Sequence, residues 1–188
     1  MQNLIKLLLT GLTMSLSANT ETITLGAGCF WCVEAVYHKL DGVQSAVSGY
    51  MGGHVDNPTY EQVCGKKSGH IEVVQVKYDS EKVSTEEILA WFWKLHDPTT
   101  KDRQGNDEGP QYASAIFYHS PEQQRIAQAS LEAAQPDFAA PIVTYVREAE
   151  TFYPAEDYHQ NYYELNKSRN PYCRYVIAPK MKKLNLDK

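Results

Sequence analysis

The run HIEVVQVKYD, His70 to Asp79, constrains the fold more than any other stretch of this chain. It alternates with the two-residue period of a strand. Glu72, Val74, Val76 and Tyr78 fall on one face, and Ile71, Val73, Gln75 and Lys77 on the other. A carboxylate thus shares a face with valines. The next segment, STEEILAWFWKLHDP, opens with a capping box from Ser84 to Glu87. It carries Ile88, Leu89, Phe92 and Leu95 at helical spacing and stops before Pro98. A second helix is signalled in SPEQQRIAQASLEAAQ, where Ser120 caps, Pro121 fits the first turn and Gln123 closes the box.

Around these anchors, TITL (Thr22 to Leu25) reads as β-rich, GAG as a turn, and Cys29 to Leu40 as a helix with Phe30, Val33, Val36, Tyr37 and Leu40 on one side. Val43 to Ser48 and YASAIFYHS read as strands, PIVTYVREAE as the last long strand, and AEDYHQNYYELN as a short helix. The segment GYMGGHVDNPTYEQVCGKKSGH, Gly49 to His70, is a long connection, and a loop of that length in a compact domain is functional or disordered. Strands and helices alternate without a Gly-rich phosphate fingerprint. The pattern is that of a mixed α/β or α+β sandwich rather than a nucleotide binder.

With 188 residues, 43% apolar and 22% charged, the chain has the size and balance of one globular domain. Its net charge of -5 argues against a nucleic-acid partner, which needs clustered cations. The basic end, PKMKKLNLDK, reads as a solvated tail. Residues 1–20 have the outline of a short secretory signal or a frayed leader: one cation, Lys6, then an apolar stretch from Leu7 to Leu16 that is too short to span a bilayer. A signal implies a periplasmic or exported protein; a frayed leader implies a cytoplasmic one.

Four cysteines do not make a disulfide-dense scaffold. Cys29 and Cys32 stand three apart, whereas Cys64 and Cys173 stand alone, so a zinc site would need three distant segments to converge. Val33 occupies the position where a c-type haem motif requires His. Redox chemistry remains. A cysteine at a helix N-terminus faces unpaired N–H groups, which favour its thiolate, so Cys29 is the expected nucleophile. Cys32, one turn on, is placed to attack an oxidised Cys29. The intervening Phe30 and Trp31 would wall a small apolar group.

GAGCFWCVE resembles the active-site motif of the peptide methionine sulfoxide reductase A family. The resemblance continues through GYMGG, NPTYEQVC, GHIE, FWKLHDPT, RQGNDEGPQY and FYPAEDYHQNYY, covering nearly everything after the leader. It implies that Cys29 attacks the sulfoxide sulfur, that Glu72 is the general acid, and that Tyr60 and Tyr112 are hydroxyl partners of the oxygen. Asp107 would be a polar residue of the same pocket, and Phe30 and Trp31 the cradle of the substrate methyl. On an apolar face the Glu72 carboxyl should rise toward neutrality. The implied enzyme is a peptide-methionine (S)-S-oxide reductase acting on oxidised proteins and free methionine sulfoxide. It would pass through a sulfenic acid and a disulfide recycled by thioredoxin, with no bound cofactor, metal, nucleic acid or membrane.

With the resemblance, the expected architecture is a single catalytic domain over 21–188, α+β, a mixed-sheet two-layer sandwich with a ferredoxin-like core, long loops and an irregular C-terminal tail, working as a monomer. The chain departs from the pattern in two places. Many relatives have Gly where Cys32 stands, and they resolve through cysteines in a Gly-rich tail; here NPYCRYVIAPK holds one cysteine, Cys173. The resolving cysteine is therefore Cys32, by proximity, or Cys173, alone or as a relay. Cys64 reads as a buried structural thiol. A general thiol-disulfide oxidoreductase using Cys29 and Cys32 is the competing enzyme class, and a metal-binding module the non-enzymatic one.

Overall fold

The computed structural model describes residues 19–187. The leader expected over 1–20 lies outside them except for its last two residues, and Thr20 already opens the first strand.

Among the described residues eight strands and six α-helices follow in order: β1 (Thr20–Ala27), α1 (Phe30–Tyr37), β2 (Val43–Met51), α2 (Tyr60–Cys64), β3 (Ile71–Asp79), α3 (Thr85–Leu95), β4 (Arg103–Gln104), β5 (Asp107–Glu108), β6 (Ser114–Tyr118), α4 (Pro121–Ala134), β7 (Tyr145–Glu148), β8 (Tyr153–Pro154), α5 (Tyr162–Asn166) and α6 (Ala178–Lys183). A single π-helical turn, Cys173–Ile177, runs straight into α6. The central sheet has the order β7-β6-β1-β3-β2-β8. Every pairing in it is antiparallel except β6 with β7, which is parallel. The fold is therefore mixed α+β on a mostly antiparallel sheet. Among the described residues no helix is long and apolar enough to cross a membrane.

The alternation read in β3 decides the layering. Val74, Val76 and Tyr78 enter the main core with Val33, Val36 and Tyr37 of α1 and Ile88, Leu89 and Phe92 of α3. Ile71 and Val73 face the opposite way, into a smaller cluster with Met51, Ala113, Ala115 and Phe117. α3 is capped as its sequence dictates, Ser84 Oγ accepting from Glu87 N–H and Glu87 Oε2 from Ser84 N–H. α4 has only half its expected box: Ser120 Oγ accepts from Gln123 N–H, but Gln123 Oε1 accepts from His119 N–H instead. The Gln123 amide donates to Thr22 O and so ties the helix to β1.

Three expectations are corrected. The long connection before β3 holds a capped helix, α2, with Thr59 and Gln62 forming its box. The last long strand, expected over residues 141–150, shrinks to β7, with Pro141 and the residues after it left outside the sheet, and β8 lies beyond it. The C-terminal segment is helical rather than irregular, and it docks through Cys173, Ile177 and Met181, all fully buried in the main core. Both methionines among the described residues, Met51 and Met181, are fully buried.

Candidate active site

Cys29 is the N-cap of α1, delivered by Gly28. Gly28 has φ +83°, and a Cβ there would fall 2.6 Å from Gln104 Cβ, so only glycine lets the turn close against β4. Cys29 is 8% and Cys32 2% exposed, and both thiols are free. They line a cavity of about 280 Å³ together with Gln104, Asp107, Tyr172 and Lys180.

Glu72 projects from β3 beneath the start of α1, 1% exposed. Its Oε2 accepts from Phe30 N–H at 3.1 Å. Burial pushes the carboxyl up to about 8, aided by Asp107 and Cys32 and opposed by the Phe30 N–H bond. The expected rise toward neutrality is present.

The expected thiolate at Cys29 is not. The N–H that follows Cys29 is used by Glu72, and α1 leaves the sulfur buried beside Cys32 and that carboxyl. Burial, then the Cys32 hydrogen bond, then Glu72 push the Cys29 thiol well up. Cys32 moves the other way, to about 7, because Cys29 donates a hydrogen bond to it; Lys180 and Tyr172 help, while burial and Asp107 oppose. The two thiols titrate as one unit, with a single anion easily formed between them and a second one costly.

Tyr60 opens α2, and its N–H donates to Glu156 Oε1 at 2.8 Å. Burial raises the Tyr60 hydroxyl first, then the hydrogen bond with Cys64, with Glu72 and Tyr112 also contributing. Tyr112 is raised by burial, then by Glu72, Cys29 and Asp107. Both phenols therefore stay protonated, as donors, around the Glu72–Cys29 centre. Cys64 is not the buried structural thiol expected: it is half-buried and keeps company with Tyr60.

The aromatic wall is more elaborate than Phe30 and Trp31 alone. Phe30 packs against Tyr50 and His159, with ring centroids 5.9 and 5.0 Å away. Trp31 donates to His159 Nδ1 at 3.0 Å and stacks on Tyr162 at 3.6 Å with planes 4° apart. Tyr172 meets it edge-on at 5.8 Å. The Tyr172 hydroxyl donates to Asp107 Oδ2 at 2.6 Å and lies 3.8 Å from Cys32 Sγ. Asp107 is thereby fixed at the cavity wall.

His159, Tyr162, Tyr172 and Lys180 are site residues that sequence reasoning passed over. The first two lie inside the FYPAEDYHQNYY motif, which carried the signal without saying which side chain did what. Cys173 comes close enough to Cys32 for their charges to interact, but it is buried and its thiol is raised, chiefly by that burial.

The model of the family described as peptide methionine sulfoxide reductase matches residues 21–188. The MsrA of Leptospira borgpetersenii is 54% identical over 163 residues, spanning 87% of this chain and 92% of the relative. Reduced Mxr1 from Saccharomyces cerevisiae superposes with a TM-score of 0.79 at 34% identity, covering 84% of this chain and 91% of that one. Mxr1 in complex with Trx2 gives 0.57 at 28% identity, covering 78% and 86%.

Proposed function

The chain belongs to the peptide methionine sulfoxide reductase family, and from that premise we propose how its residues divide the reaction. It is a thiol-dependent oxidoreductase that reduces methionine S-sulfoxide, protein-bound and free, and is recycled by thioredoxin. The Trx2 complex of Mxr1 supports that reductant.

The observation that carries the assignment is the buried Glu72 carboxyl, held near 8 and hydrogen-bonded to the residue after Cys29. A sulfoxide becomes electrophilic at sulfur when its oxygen is protonated or strongly hydrogen-bonded. In our reading neutral Glu72 supplies that proton, and the Tyr60 and Tyr112 hydroxyls donate to the same oxygen. Phe30 and Trp31 enclose the methyl group, with Asp107 on the polar side. Cys29 passes its proton to Cys32, attacks the sulfur and releases the thioether, keeping the oxygen as a sulfenic acid. Cys32 then closes a disulfide with Cys29. Its adjacency, and the burial and raised thiol of Cys173, favour Cys32 as the resolving cysteine.

We read 21–188 as one catalytic domain, supported by the continuous six-stranded sheet and the extent of the family match. The order β6-β1-β3-β2, reached through β1-α1-β2-β3-α3-β6, supports a ferredoxin-like core. The net charge of -5 supports a protein without nucleic-acid partners, and we read it as a monomer.

Turnover of the S epimer of a methionine sulfoxide peptide, but not the R epimer, with dithiothreitol tests the assignment. A chain that reduced protein disulfides and left both epimers untouched would instead be a general thiol-disulfide oxidoreductase. The near-complete burial of both thiols already speaks against broad docking onto protein disulfides.

A further inference from the structure

We propose that Lys180 is a positioning residue for the resolving step: from the C-terminal helix it holds the Cys32 sulfur in the anionic form that attacks oxidised Cys29. The proposal rests on the reductase reading above and extends it to a segment that the sequence presents as a solvated tail.

The geometry comes from the docking of α6. Ile177 and Met181 are buried in the core, and this turns Lys180 inward, half-buried, while Lys182 and Lys183 remain exposed. Among the described residues Lys180 is the only cation lining the 280 Å³ cavity that contains both thiols. Among the described residues it forms no ion pair, so its ammonium is available to the cavity. On its other side lies a groove with Lys94, His96, Asp97, Asp137 and Lys183.

The groups facing Cys32 come from five segments. Cys29 precedes α1, Glu72 lies on β3 and Asp107 on β5, Tyr172 and Cys173 belong to the C-terminal segment, and Lys180 to α6. The two carboxylates oppose a negative sulfur. Cys29 favours it only while it is a thiol able to donate, and once Cys29 is oxidised that S–H no longer exists. Lys180 is the charge that remains, and it acts on Cys32 when the second bond must form.

In that step the Cys32 thiolate contributes an electron pair to a new Sγ–Sγ bond with Cys29 as the Cys29 S–O bond breaks. The oxygen departs as hydroxide and becomes water by taking up the proton that Cys32 received from Cys29 and releases on forming its thiolate. Cys32 is oxidised to the disulfide level while Cys29 is reduced to it from the sulfenic level.

The test uses the full chain, mixed rapidly with a methionine S-sulfoxide peptide and quenched across a pH series. Released methionine and the Cys29–Cys32 disulfide are both counted. Lys180→Met should move the midpoint of disulfide formation upward by about one pH unit, the effect of removing a nearby opposite charge, and Lys180→Arg should restore it. The pH dependence of Cys32 alkylation in a Cys29→Ser background, with and without Lys180→Met, should move in the same direction. An unmoved midpoint in both measurements, or an arginine variant displaced as far as the methionine variant, overturns the proposal. If the unmodified chain releases no methionine at all, the reductase reading itself falls, a result distinct from a normal burst with an unmoved midpoint.

Discussion

The Trp31 indole N–H donates to His159 Nδ1 across 3.0 Å, which fixes the histidine as well as the tryptophan. An indole N–H can only donate, so Nδ1 is bare and the proton sits on Nε2. That Nε2 is buried without a partner, 3.8 Å from Glu156 Oε2. Burial holds the imidazole below its ordinary range, so the arrangement persists into mildly acid solution. With Tyr162 on its face and His159 at its edge, Trp31 has little rotational freedom. His159→Phe keeps a ring and removes the acceptor. KM for a sulfoxide peptide should rise about five-fold, the equivalent of one ordinary hydrogen bond, with a smaller change in kcat. An unchanged KM would mean that packing alone positions the indole.

Glu72→Gln should slow methionine formation by about 10²-fold or more, the usual worth of a positioned acid, and yet stabilise the fold. The carboxyl is near 8 when folded and near 4.5 when free, so the folded state binds the extra proton between those values. Stability is therefore complete below the lower value and is lost as pH rises toward 8. At pH 8 the glutamine variant should be more resistant to urea by about 2–4 kcal/mol, and at pH 4 nearly equal to the parent. Urea titrations at the two pH values check both signs.

The same two groups shape the activity profile. A sulfur anion is needed, and the dithiol first ionises at Cys32 near 7; a protonated acid is needed, and Glu72 loses its proton near 8. The rate of the sulfoxide step should rise through about pH 7 and fall through about pH 8, a narrow bell. Glu72→Gln should lose the alkaline limb. Single-turnover methionine release across pH 5 to 10 would reveal a flat profile if neither group titrates as described.

Cys29→Ser should abolish methionine release. Cys32→Ser should leave the first turnover detectable but cut thioredoxin-supported cycling at least ten-fold, because the buried, raised Cys173 is a poor substitute. Mass spectrometry after one turnover of the parent should find Cys29 linked to Cys32. A Cys29–Cys173 link would transfer the resolving role to the tail.

Much of the site is legible in the sequence because its signals are local. Strand alternation alone puts Glu72 on the face of Val74 and Val76, and the Ser84 and Ser120 caps mark where α3 and α4 begin. Three features escape local reading. The charge on Cys29 is set first by burial, then by Cys32, then by Glu72, which comes from a distant strand and takes the Phe30 N–H that a helix start would otherwise offer a thiolate. α2 hides among Gly, Asn, Asp and Pro, its Thr59–Gln62 box too short to stand out. In the C-terminal segment Cys173, Ile177 and Met181 recur every fourth residue, but interleaved lysines and arginines make the stripe look like charge for solvent.

The complete burial of Met51 and Met181 bears on how this protein outlasts the conditions that create its substrates. A thioether is itself a target of the oxidants that supply methionine sulfoxide, and converting one inside a core inserts a polar group where only apolar neighbours exist. With both sealed away from solvent, the sulfur atoms that an oxidant can reach among the described residues are thiols: half-buried Cys64, and the cavity pair Cys29 and Cys32, which the catalytic cycle restores. Over the described residues the catalyst is thereby kept from becoming its own client.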